Sequence, residues 1–557
     1  MYLRTSKRKN KDGSVVEYYH LAHNERHPIS GRSIPKIIHN FGRADRLDRE
    51  ELVRLCRSIA RVCGLDVRDP LTDDSDESLE TGLPKHFQYV STRELGAPWI
   101  LEHLWNQLGF KESILGMMKQ LKRKTSIERA LFAMVANRLC EPESKFGVWD
   151  RWLQRVYFPG GEQLKLHHMY DAMDWLYRHA GAIEERVFYQ VANLFNLDVD
   201  VVFFDTTTAS FSVDWEDDDG EDLRQFGHPK EGGWAPQVVV ALAVTREGFP
   251  VRSWVFPGNT TDVTTIEQVR KDLRGWNLNR TLFVADAGMN SMEAKRELGR
   301  ACGMYLLATR MNSVKEIREQ VLTTRGRYRE IQPNLYAKEV IIGDGVKRKR
   351  YILCFNEAQA ERERKHREYL VNQLEQAFDS HKNHQATAQW AIQLKASKRF
   401  GKYLRITKGG LLRMDRAAIK AAEKTDGKWV LETNDDTLKI EDAATTYKAL
   451  LTIERCFRTL KTTQIRMCPV YHWTSKRIEA HVKICVFALL LERVAEHRTD
   501  QTWKQIYEAI RTLQVSEFYR KTFHFFQRNE ATNTHKILLQ KLETPLPPRV
   551  LVKLPKK

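Results

Sequence analysis

An α/β architecture, a mixed sheet with flanking helices, is what the sequence predicts, on three observations. Residues 199 to 310 read in the order β-β-β-α-β-α-β, the layered alternation of sheet and helix. Within them the runs Val-Asp-Val-Val-Phe-Phe-Asp up to Asp205 and Thr-Leu-Phe-Val-Ala-Asp up to Asp286 are nearly all apolar, as strands buried on both faces are. The same helical spacing of apolar residues brackets the region on both sides.

Along the chain, residues 1–65 carry alternating segments at Val15–Tyr19 and Lys36–His39, with turn residues at Asp12-Gly13 and Ser30-Gly31, then a helix from Asp48 to Val62. This predicts a small basic β-meander with one helix, a candidate for DNA binding. Residues 66–90 are acidic and turn-rich (Asp73-Asp74-Ser75-Asp76-Glu77) and read as a linker. Residues 91–198 read as all-helical. Thr92 gives a start signal, Leu101, Leu104 and Leu108 follow at helical spacing, and helices are expected over 126–139 and 182–195. The cluster Lys119, Lys122, Arg123, Lys124 lies here; it fits DNA binding or a solvated scaffold face.

The sheet region, 199–311, opens with a strand at 199–206. A hairpin follows from Gln237 to Pro257, turning at Arg246-Glu247-Gly248, then strands at 281–286 and 304–309 with helices at 262–275 and 291–302. Residues 312–440 read as a β-rich insertion around a charged helix from Glu357. Helices resume over 441–498, and 499–557 is a basic region with a Pro-rich stretch near its end, Thr544-Pro-Leu-Pro-Pro-Arg, expected to dock loosely.

Length and charge bound the function. A chain of 557 residues implies two to four domains. Its 90 Lys+Arg against 72 Asp+Glu leave a formal charge of +18, which suits a polyanion. A membrane is the poorer partner, because the apolar runs are far short of the roughly 20 residues that span a bilayer. The start, Met-Tyr-Leu-Arg-Thr-Ser-Lys-Arg-Lys, lacks a signal-peptide core. The 8 cysteines form no Cys-x-x-Cys pair, so a reduced, cytoplasmic protein without structural zinc is expected.

The chemistry rests on three acids. Asp205 and Asp286 each close an apolar run, where a carboxylate is costly unless negative charge is needed. Glu454 sits in the basic helix Leu-Thr-Ile-Glu-Arg-Cys-Phe-Arg-Thr-Leu-Lys. Brought together they would offer hard oxygen ligands to Mg²⁺ or Mn²⁺, and two such ions clamp the oxygens of an in-line phosphoryl displacement. The competing readings are a strand-end cap for Asp205, a turn aspartate for Asp286 and a helix ion pair for Glu454. The acidic stretch from Asp214 to Asp222 reads as a solvated loop. Glu454, Phe457 and Lys461 fall at i, i+3 and i+7, one broad helix face that Tyr447 also shares.

Tyr447-x-x-Leu450-x-x-x-Glu454-x-x-x-x-x-x-Lys461 resembles the Tyr-Arg-Glu-Lys signature of insertion-sequence DDE transposases. The resemblance runs in order over about 199–497, through the Asp205 strand, the hairpin, Phe-Pro-Gly-Asn-Thr-Thr-Asp, Asp286-Ala-Gly-Met, the insertion and the signature helix. It implies an RNase H-like catalytic core split by the insertion, with Asp205, Asp286 and Glu454 as catalytic metal ligands for two Mg²⁺ or Mn²⁺ ions. It further implies double-stranded DNA substrates (transposon ends and target), strand transfer of a 3′-hydroxyl, a homodimer in the synaptic complex, and a cytoplasmic, nucleoid-associated enzyme. The family's arginine position is Leu450 here, so Arg455 and Arg458 become candidates for its DNA grip beside Tyr447 and Lys461. Rival readings are an RNase H-like nuclease without strand transfer and a non-catalytic DNA-binding derivative.

Overall fold

A computed structural model describes residues 2–9, 15–26, 33–44, 47, 49–63, 87–118, 124–197, 199–211, 223–230, 232–276, 278, 281–300, 303–311, 313–382, 388–468, 470–520 and 523–555. The Asp214–Asp222 stretch, Lys119 to Arg123 and most of the 66–90 segment lie outside the described residues. The chain divides into two compact units, Met1–Pro84 and Lys85–Lys557.

The first unit is a three-stranded antiparallel meander, Tyr2–Lys9, Val15–Arg26 and Ser33–Arg43, followed by the helix Arg49–Val62. The alternation read at 15–19 and 36–39 belongs to its second and third strands.

The second unit is built on a ten-stranded mixed sheet. Its centre runs Met304–Thr309, Leu282–Ala285, Val201–Ser210, Ala235–Val244, with Leu282–Ala285 parallel to both of its neighbours and the rest antiparallel. Pro250–Pro257 returns along Ala235–Val244 as the expected hairpin. The apolar runs are explained by burial on both faces. Val201, Phe203, Leu282, Val284, Leu306 and Ala308 face a large core shared with the helices. Val202, Phe204, Phe283, Ala285, Tyr305 and Leu307 face a second core under the helices Asp262–Gly275 and Met292–Gly299.

The stretch 312–440 does not stand apart from this sheet. Arg329–Gln332, Leu335–Ile342, Lys349–Phe355 and Lys428–Thr433 continue it, Lys428–Thr433 pairing directly with Met304–Thr309. The helix Glu357–Lys382, the short hairpin Leu404–Ile406/Leu412–Met414 and the helices Ala388–Ala396 and Arg416–Glu423 gather around a small core of their own, with Leu370, Leu374, Tyr403 and Leu404.

Two expectations are corrected. Thr92 does not start a helix: Phe87–Glu94 is a strand and the helix begins at Gly96. That strand pairs with Gln514–Arg520 in a four-stranded sheet completed by Phe523–Arg528 and Val550–Pro555, so its partners lie beyond any local pattern. For the same reason the C-terminal region is not loosely docked. Trp503, Ile506 and Ile510 are buried in the main core, and Trp99 Nε1 donates to Pro545 O at 2.8 Å.

Candidate active site

Strand register sets the first two acids side by side. Val201 aligns with Leu282, Val202 with Phe283 and Phe203 with Val284 in a parallel pair. Continued to the next residues, this register puts Asp205 level with Asp286 on strands about 4.8 Å apart. Side chains alternate along a strand, so both acids share the face of Val201, Phe203, Leu282 and Val284, the face covered by the Glu454 helix. The sequence placed Asp205 at a strand end. In the structure that strand continues to Ser210, held by pairing through Ser210 and Gln237, and it is the neighbouring strand that stops, at Ala285. Asp286 then leads into the single 3-10 turn Ala287–Met289.

Glu454 lies on Leu451–Arg458, which follows the helix Ile440–Lys448 across a tightened step at Leu450. Leu450 N–H bonds Tyr447 O at 3.0 Å and Ile453 N–H bonds Leu450 O at 3.1 Å. Leu450, where the signature has arginine, is buried in the core and presents no charge. Ile453, Cys456 and Phe457 anchor the helix on the sheet, leaving Glu454, Arg455 and Arg458 exposed. The hairpin tip supports it from below. Gly248 has φ +87°, and a Cβ there would meet Thr452 Cγ2 at 2.8 Å. Cys456 Sγ donates to Gly248 O at 3.6 Å.

The shared face expected for Glu454, Phe457 and Lys461 does not hold. Phe457 is buried while Glu454 is exposed, and Thr459–Thr463 winds as a π-turn that breaks the 3.6-residue period. Lys461 is redirected onto the Asp205 strand, with Nζ 3.4 Å from Thr207 Oγ1.

One hydroxyl feels all three acids. Tyr447 Oη donates to Asp286 Oδ1 at 3.0 Å. Burial and the Asp286 carboxylate push its phenol above the ordinary range, and the charges of Glu454 and Asp205 add to the effect. Tyr447 is therefore a neutral donor at physiological pH.

Lys230 was not foreseen. Its Nζ lies 3.4 Å from Asp205 Oδ1 and also donates to Thr206 O, while its N–H donates to Thr208 Oγ1 at 3.0 Å. Nothing in Gly227-His228-Pro229-Lys230 ties it to Asp205 in the sequence; the link is made by the fold. Thr206 N–H closes on Asp205 Oδ1 at 2.7 Å.

The donors at this place are all hard oxygens, which suit Mg²⁺ or Mn²⁺ by chemistry. As arranged here, with an ammonium at Asp205 and a phenol on Asp286, no group of three or more His, Cys, Asp or Glu among the described residues is gathered closely enough to hold a metal ion.

Comparison with known proteins supplies the family. The transposase DDE domain matches residues 197–491, more than half of the chain, and the N-terminal domain of IS1634 family transposases matches residues 3–69. No curated protein matches. Among solved structures, a cryo-EM structure of a piggyBac transposase synaptic complex with hairpin DNA is similar at 10% identity and a TM-score of 0.34. That likeness covers 74% of this chain and 79% of the other, too distant to define a fold. No helix among the described residues is long and apolar enough to cross a membrane. The match from residue 197 to residue 491 spans every acid of the site, and the chain belongs to the insertion-sequence DDE transposases, enzymes that move DNA.

Proposed function

We propose that this transposase cuts at the ends of its own element and joins the freed 3′-hydroxyl to target DNA, using Asp205, Asp286 and Glu454. The observation that carries the reading is the parallel register that levels Asp205 with Asp286 under the Glu454 helix, with Tyr447 hydrogen-bonded to Asp286. Such a core would be RNase H-like in plan, with the sheet-forming part split by the 312–440 segment. The three carboxylates would hold two divalent ions, Mg²⁺ or Mn²⁺, only once drawn closer together than they stand here, and such ions would activate the attacking oxygen and stabilise the leaving one.

The chain's own residues do the rest. Tyr447, as a neutral donor, holds the Asp286 carboxylate in orientation. Lys230 sets an ammonium beside Asp205 and offsets part of its charge. Lys461, turned by the π-segment towards Thr207, carries its charge to the strand on which Asp205 lies, where a scissile phosphate would be drawn in. Arg455 and Arg458 stand exposed beside Glu454 and suit backbone phosphates, in place of the signature arginine that Leu450 has replaced. Synapsis of two ends would need two copies of the chain. Residues 1–65 and the helices of 91–198 are the regions for reading the ends.

The deciding test is joining. A fragment with a precut 3′ end of the element, incubated with the protein, plasmid DNA and Mg²⁺ or Mn²⁺, is expected to become covalently attached to the plasmid. Cleavage of uncut ends without joining would assign a nuclease, and binding with neither reaction would assign a non-catalytic DNA-binding protein.

A further inference from the structure

A second cluster of charge lies apart from the three acids, in a cavity of about 360 Å³ between the helical layer and the chain that leaves the π-turn. Its floor is buried and carries the basic side chains Arg138 and Lys145 beside His481. Arg138, Lys145 and His481 are 6%, 4% and 5% exposed. Arg138 spends its terminal nitrogens on backbone carbonyls, Glu143 O, Ile465 O and Arg466 O, and its Nε is buried without a partner. His481 Nε2 bonds Met467 O at 3.1 Å, which fixes Nδ1 as the acceptor for Lys145 Nζ at 3.4 Å. The acid on the wall, Glu143, turns its carboxylate to Arg151 and Arg155.

No carboxylate among the described residues compensates Arg138 or Lys145, and an uncompensated buried charge is among the costlier features a fold can carry. Burial and the Arg138 guanidinium accordingly push the Lys145 ammonium down to about 7, and burial with Lys145 nearby holds His472 down to about 3. The mouth is open: Tyr471 is 72% exposed and Arg466 is exposed, held at φ +51° so that its carbonyl meets Arg138. A left-handed arginine is a strained choice that persists where the surroundings demand it.

We propose that this cavity binds a phosphate group, and that its source is a phosphodiester of the element's DNA some way along the strand from the one that is cut. The inference rests on the transposase reading for the DNA source, but not for the anion. Position favours DNA. The lining segment is joined to the Asp205 strand, Val470 bridging Phe211 with its N–H 3.5 Å from Ser210 O. Ser210 lies about 17 Å beyond Asp205 along the strand at roughly 3.3 Å per residue. That is about the length of five nucleotide steps at roughly 3.4 Å each.

The test uses the full chain, as parent, Lys145→Met and Arg466→Ala. Lys145→Met is close in volume and removes one buried charge; Arg466→Ala changes an exposed rim and cannot empty the core. Affinity for a DNA fragment carrying the element's end is measured between about 50 and 200 mM salt. Both variants are expected to bind about 5- to 20-fold more weakly, with the slope of log K against log salt shallower by about 0.9 for each lost phosphate contact. In parallel, inorganic phosphate against matched chloride is expected to raise the melting temperature of the parent and not that of Lys145→Met. Phosphate protection with DNA affinity and slope unchanged in both variants would overturn the DNA source and leave a site for free phosphate. Absence of both effects would overturn the proposal. Should the parent fail to bind the element's end, the transposition reading fails on its own, and the phosphate measurement alone decides whether the anion site exists.

Discussion

Tyr447 shows how one side chain can join acids that are far apart in the chain. Its hydroxyl reaches Asp286 from the helix before Glu454, and its phenol is held neutral by burial and by the acids around it. A hydrogen bond to a charged acceptor is worth about 1.5–3 kcal/mol, less where the acceptor is wet, as the exposed Asp286 is. Tyr447→Phe is therefore expected to slow end cleavage about tenfold while shifting stability by no more than about 1 kcal/mol; cleavage at the parent's rate would remove the hydroxyl from the site. At this scale the sequence was readable where an acid ends an apolar run or sits in a spaced signature. Lys230, 25 residues along the chain from Asp205, was not readable, because only the folded sheet brings it to Asp205.

Elements were legible where their pattern is local. The helices at 262–275 and 475–498 and the hairpin at 237–257 were read almost to their ends, since apolar spacing and turn residues define them. The strand at Phe87–Glu94 was missed because its partners come more than four hundred residues later. The π-turn at Thr459–Thr463 left no sequence mark either, yet it decides where Lys461 points. The hairpin tip sets the height of the Glu454 helix through Gly248, a position that needs both a positive φ and no Cβ. Gly248→Ala is expected to cost about 1–2 kcal/mol from backbone strain, with further loss from the clash at Thr452. Because it shifts the helix that bears Glu454, it should lower cleavage well beyond what that loss of folded fraction explains. Comparing cleavage per folded molecule with the parent checks this; equal values would mean that the hairpin does not position the helix.

Across the whole molecule, the seam between residues 87–94 and the C-terminal sheet closes the second unit. Glu94 lies in that seam, half-buried, with Oε1 unpartnered and Oε2 accepting from Tyr507 Oη at 3.3 Å. Burial pushes its carboxyl up from 4.5 to about 7. The folded state thus holds this proton more tightly than the unfolded one, so the stability it contributes is complete below about pH 4.5 and is lost as the pH rises through about 7. Glu94→Gln is expected to stabilise the protein at pH 8 by on the order of 2 kcal/mol and to change it little near pH 4.5, as read from denaturant midpoints at the two pH values. Equal effects at both would mean that the carboxyl is not held protonated. The net charge of +18 belongs to this scale too, since it favours DNA as a whole without choosing a site.

The central claim is that Asp205, Asp286 and Glu454 act together in cutting DNA. Its most direct test is nicking of a labelled fragment carrying the element's end, with Mg²⁺ or Mn²⁺, by the parent and by Asp205→Ala, Asp286→Ala and Glu454→Ala. Metal-dependent nicking by the parent, reduced at least a thousandfold, about 4 kcal/mol, by each change alone, is the expected result. Nicking that survives any one of the three changes would contradict the claim and remove that acid from the site.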